Sequence, residues 1–166
     1  MAERVLVTLL FTDLVESTAT ALRLGRIGWG EVLTTHEQQA RDIVARFRGR
    51  TVKTTGDGIL ASFDGAARAV RCAIALRDAA TRMGLEMRTA LHTAEVDVVG
   101  DDIRRIAIHE ASRILALAGA GEVLVSATTA SLVGDAGVTL HDMGEHELRG
   151  LDQPRRIYAV ETSQPR

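Results

Sequence analysis

Residues 51–63 read Thr-Val-Lys-Thr-Thr-Gly-Asp-Gly-Ile-Leu-Ala-Ser-Phe. Two short β-prone runs, 51–55 and 59–63, flank Gly56-Asp57-Gly58, and glycines on both sides of an aspartate give the tight turn of a β-hairpin. Upstream, Val5, Val7 and Leu9 alternate with Leu6, Thr8 and Leu10 up to Phe11. A run that is apolar on both faces predicts a central strand, with Asp13 just past its end. Ser17 and Thr18 suit a helix N-terminus and open a short helix to Leu24. Gly25, Gly28 and Gly30 then break the chain before a long amphipathic helix that begins near Val32 and ends near Gly49.

Downstream of the hairpin, the alanine-rich stretch 65–83 predicts a helix and 86–99 a strand. Residues 106–117 have helical spacing, stopped by Gly119 and Gly121, and 122–125 reads as a buried strand. Further strands are expected at 140–151 and 157–160, around a turn at Gly150. The order β-α-α-β-β-α-β-α-β with a β-rich tail predicts an α+β fold with a ferredoxin-like βαββαβ core. The expected architecture is an antiparallel sheet with helices on one face, an extra helix and C-terminal strands, the other face being left for a partner. No internal repeat or linker interrupts it, so 1–166 reads as a single domain.

Composition narrows the function classes. The 166 residues carry 20 Lys and Arg against 22 Asp and Glu, a formal net charge of -2, and only 3% aromatics. That balance lacks both the basic field and the stacking surface of a nucleic-acid binder. Cys72 is the single cysteine, so no disulfide forms within the chain and a reducing, cytoplasmic setting is expected. No run of 18 apolar residues and no secretory leader occurs, so no membrane association is expected of this chain. Regulatory domains outside this segment remain an expectation.

Asp13 and Asp57 each fall at a turn, at neighbouring strand ends. Two carboxylates so placed suit a hard cation such as Mg²⁺ or Mn²⁺, yet aspartates also serve turns for structural reasons alone, and the pair fits either reading. The helix start expected at Ser17 and Thr18, directly after Asp13, would turn backbone N–H groups and the positive end of its dipole toward an anion. GxxxxGK[ST] is absent, and no GxGxxG follows a strand, so a nucleotide site here is of another type.

Phe11-Thr12-Asp13-Leu14-Val15-Glu16-Ser17-Thr18 and Lys53-Thr54-Thr55-Gly56-Asp57-Gly58 resemble the two signature segments of the class III adenylyl cyclase catalytic domain of bacterial type. The stretch from Asp102-Ile103 to His109-Glu110-Ala111-Ser112-Arg113 is similar to that family's helix motif, and Glu147-Leu148-Arg149-Gly150 to its C-terminal turn. The resemblance implies two divalent cations, Mg²⁺ or Mn²⁺, held by Asp13, Asp57 and the Leu14 carbonyl. It implies that the amides around Ser17 and Thr18 cradle the distal phosphates of ATP. Lys53 and Asp102, with Ile103 beside it, take the base-selecting positions, and a lysine donor with a carboxylate acceptor suits adenine. Arg113 takes the place of the transition-state arginine, and Arg149 is a candidate for the β- or γ-phosphate.

His109 stands where the family most often has asparagine, and either orients the ribose or only fills an interface. Arg104, Arg105, Ala90 and Ala94 also depart from the glycine-containing pattern, whereas His36, His92, His141 and His146 are expected to be structural or on the surface. The resemblance implies a homodimer with active sites between the two copies and the formation of 3′,5′-cyclic AMP with release of pyrophosphate. A catalytically silent nucleotide-binding regulatory domain is the alternative, and a ligand-free dimerisation module is a third reading.

Overall fold

The double-sided strand expected at 5–11 is β1 (Arg4–Leu14) of a computed structural model that describes residues 4–15, 18–97, 101–134 and 137–161, with the side chains of 19, 97 and 101–104 excepted. The elements that follow are α1 (Thr18–Arg46), β2 (Arg50–Thr54), β3 (Ile59–Phe63), α2 (Ala66–Arg82), β4 (Met87–Asp97) and α3 (Asp101–Leu115). They continue with β5 (Val123–Ser126), α4 (Ala127–Val133), β6 (Thr139–His146) and β7 (Arg155–Glu161). The strands form one sheet in the order β2-β3-β1-β4-β5-β7-β6. Every pairing is antiparallel except β4 with β5, which are parallel and therefore joined by a crossover that carries α3. The α+β fold expected from the element order is the one observed.

Alternation along β1 explains its apolar run. Leu10 and Leu14 enter the main core with Ile43, Val44, Val70 and Leu76 of α1 and α2. Leu9 points the other way, into a cluster with Leu60 and Ala107 of α3. Helices thus cover both faces of the sheet, not one as expected, because the β4–β5 crossover lays α3 on the second face.

Five local expectations also shift. Asp13, expected at a turn just past the strand, lies inside β1, because the pairing with β4 continues to Leu14. The long helix breaks only at Gly25, whose φ of 75° and ψ of 173° are non-helical, and it runs on through Gly28 and Gly30. Helix α3 begins at Asp101, five residues before the predicted start. Helix α4 was not anticipated: Ser126 caps it, its Oγ accepting from the Thr129 amide at 3.3 Å. The strand expected at 140–151 ends at His146, leaving 147–151 as a turn. Among the described residues no helix is long and apolar enough to cross a membrane.

Candidate active site

Pairing of β3 with β1 carries the hairpin tip to the end of β1, Thr12 standing opposite Ile59. The approach is close: a Cβ on Gly58 would stand 2.1 Å from the Thr12 carbonyl oxygen, so only glycine fits there. The Ile59 amide donates to Thr12 Oγ at 3.2 Å and the Thr55 amide to the Gly58 carbonyl at 2.9 Å. Gly56 supplies the positive φ, 84°, that turns the loop. These contacts hold Asp57 beside β1, where Asp57, Leu14, Val15, Thr18 and Trp29 line an open cleft of about 420 Å³. Of the sequence-predicted residues, the fold therefore gathers Asp57, Leu14 and Thr18. Ser17 lies outside the described residues.

Asp13 faces Arg88 across the β1–β4 ladder. Arg88 Nε donates to Asp13 Oδ1 at 2.7 Å and its second nitrogen binds the other carboxylate oxygen, a bidentate pair. The Arg88 pKa is raised, first by the hydrogen bond to Asp13, then by the charges of Asp13 and Asp57. Arg88 thus belongs to the site, although sequence reasoning passed over it. Its only signal was a positive charge near the start of a predicted strand. Buried His36 of α1 also lies in the field of Asp57, and burial lowers its pKa against the pull of Asp57 and Glu37.

Asp57 beside Leu14 in the cleft, and Asp13 at the adjoining strand end with both oxygens held by Arg88, are hard oxygen donors of the kind a divalent cation takes. Among the described residues no three or more His, Cys, Asp or Glu come together to hold a metal ion. An open, all-oxygen set is what Mg²⁺ or Mn²⁺ would need and what Zn²⁺ would not.

Lys53 is exposed on β2, opposite Leu60. A second cavity of about 340 Å³ lies between β1, β2 and α3, lined by Val7, Leu9, Thr51, Val52, Ala107 and Ile108 among others. Asp102 and Ile103 sit in the first turn of α3, and their side chains lie outside the described residues.

Further along α3, half-buried Arg113 has its Nε buried with no hydrogen-bond partner. The His109 ring rests on the 147–151 turn: a Cβ on Gly150, at φ 85°, would stand 3.1 Å from His109 Nε2. That contact brings the turn bearing exposed Arg149 up to α3. Ala90, fully buried, packs in one cluster with Ile114, so a methyl group fills the helix–sheet contact where the resemblance expects glycine.

Comparison with known proteins adds the following. The family model described as the adenylate and guanylate cyclase catalytic domain matches residues 2–162. An uncharacterized protein of Mycobacterium tuberculosis, Rv0891c, is 32% identical over 164 residues, covering 91% of this chain and 54% of that protein. An adenylate cyclase of Streptomyces coelicolor is 32% identical over 117 residues, 69% of this chain and 31% of that protein. The chain thus spans about half or less of these curated relatives. Among solved structures, the adenylyl cyclase CyaB of P. aeruginosa superposes with a TM-score of 0.86 at 25% identity, covering 99% of this chain and 97% of that one. The guanylyl cyclase Cya2 superposes with a TM-score of 0.78 at 26% identity, covering 96% and 93%.

Proposed function

The chain belongs to the adenylate and guanylate cyclase catalytic domain family, and on that footing we propose that it is an adenylyl cyclase, converting ATP to 3′,5′-cyclic AMP and pyrophosphate at sites shared by two copies. The observation that carries this reading is the gathering of Asp57, Leu14 and Thr18 around one cleft, with Asp13 and Arg88 paired at the adjoining strand end. Asp13, Asp57 and the Leu14 carbonyl would hold two divalent cations, which when bound neutralise the triphosphate and acidify the ribose 3′-hydroxyl.

Around that centre the chain's own groups divide the work. The backbone around Ser17 and Thr18, Thr18 being the first residue of α1, serves the distal phosphates. Arg88, its fork taken up by Asp13, holds that carboxylate at the strand end, and Arg149 serves the β- or γ-phosphate. Lys53 donates to the adenine ring and Asp102 accepts from its exocyclic amine, with Ile103 alongside; guanine has a carbonyl in that place, which favours ATP over GTP. Arg113 stabilises charge on the α-phosphate as the 3′-oxygen attacks in line and the bond to pyrophosphate breaks. His109 orients the ribose. Exposed Val5, Val52 and Ile106 support a homodimer that covers this face and creates two equivalent sites, in the cytoplasm where ATP is at hand.

A catalytically silent nucleotide-binding domain is the second reading, favoured by the His109 ring being engaged on Gly150. The two separate on one measurement, cyclic nucleotide formed from ATP and from GTP with Mn²⁺ over a range of protein concentrations. Cyclic AMP with a specific rate that rises with concentration is the expected result. Nucleotide binding without product, at concentrations where sedimentation shows a dimer, selects the silent domain.

A further inference from the structure

We propose that Glu110 is a positioning residue, tethered to Arg155 and set against His92 so as to fix the seat of α3, and with it Arg113, on the sheet. This role deepens the cyclase reading and rests on it. Glu110 projects from α3 with its side chain only 12% exposed, and its Oε2 accepts from Arg155 Nε of β7 at 3.2 Å. The same oxygen stands 3.6 Å from His92 Nε2 of β4, whose ring is 8% exposed. On its far side, His92 Nδ1 meets Ser126 Oγ, at the end of β5, at 2.9 Å. One carboxylate thus ties the helix to β7 by a hydrogen bond and faces the β4 imidazole, which is itself held to β5.

A carboxylate so enclosed is costly unless its partners stay in place, and a turn or slide of α3 by one position would strip it of both. Around Glu110 the apolar contact supplies little register, since Ala107 and Ala111 are small, and the large buried side chains Ile114 and Leu115 come only in the last turn. Arg113 follows Glu110 by three residues and so shares its side of the helix. The Arg113 Nε has no hydrogen-bond partner of its own, so the position of that guanidinium follows the seat of the helix. His109, next to Glu110, adds its contact with Gly150. Two adjacent side chains therefore lock α3 to the C-terminal strands and their turn.

The test compares Glu110→Ala, Glu110→Gln, Arg155→Ala and the double variant Glu110→Ala/Arg155→Ala. Turnover with Mn²⁺ and ATP and hydrogen exchange of the α3 amides are both read. Misplacing a catalytic group by a fraction of an ångström to an ångström costs about 10- to 100-fold. We expect a kcat loss of that order in each alanine variant, a KM for ATP within about twofold, a double variant no worse than the singles, and faster exchange in α3. Glu110→Gln, which keeps the shape and loses the charge, should fall between wild type and Glu110→Ala; it carries the test if the alanine variant does not fold. Unchanged kcat in a folded variant, or losses that multiply in the double variant, overturns the tether. Should the wild type make no cyclic nucleotide, the cyclase reading falls, and exchange still decides the tether: unchanged α3 protection in Glu110→Gln and Arg155→Ala overturns it.

Discussion

Gly58 shows how much a single atom decides. A methyl group there would collide with the Thr12 carbonyl oxygen, and backbone cannot move aside as a flexible side chain does. Gly58→Ala should push the hairpin off β1 and cost about 1–3 kcal/mol, seen in urea unfolding. It should also weaken Mn²⁺ binding several-fold, seen by titration, because Asp57 rides on that hairpin. Arg113→Ala should lower kcat about 100- to 1000-fold with little change in ATP binding, since charge on the α-phosphate grows only in the transition state. A loss confined to KM would contradict that role. Asp57 stands out in the sequence because its flanking glycines announce a turn, and Asp13 because it closes an apolar run, although the strand continues to Leu14. Arg88 does not: it meets Asp13 across 75 residues, and only the strand register brings them together.

Short and crossed elements were the hardest to read. Helix α4 spans 7 residues, fewer than two turns, too few for a periodic pattern, so only its Ser126 cap could have revealed it. Ser126→Ala should cost about 1 kcal/mol as a lost cap, and more because His92 Nδ1 loses its partner; chemical denaturation measures the sum. The buried histidines of α1 and β4 predict an acid-sensitive fold. Burial lowers the pKa of His36 below 6.5, and does the same to His92 against the opposing charge of Glu110 and with the help of Arg155. With the folded values below the unfolded one, the unfolded chain binds more protons in between, so stability rises with pH across that window. The contribution is whole above about 6.5 and fades as pH falls through the folded values. Urea unfolding from pH 7.5 to 5.5 should therefore show a decline that is shallower in the His36→Gln/His92→Gln variant.

For the whole molecule, the test is whether two chains share a site. Asp57→Ala and Arg113→Ala chains should each be inactive as homodimers. Mixed equally, they should recover roughly a quarter of the wild-type rate, since half of the random dimers are mixed and each has one intact site. A mixture as silent as its parts would place both residues in a site within one chain. The sequence by itself determined the class of fold, the central strand, the hairpin and its turn aspartate Asp57, because alternation, glycine and capping chemistry act over a few neighbouring residues. Tertiary structure alone decided that α3 covers the second face of the sheet, that Arg88 holds Asp13, and that Glu110 is bound to Arg155 and set against His92. Those contacts join residues far apart in the chain, and their partners are set by the order and register of the strands, which no local pattern encodes.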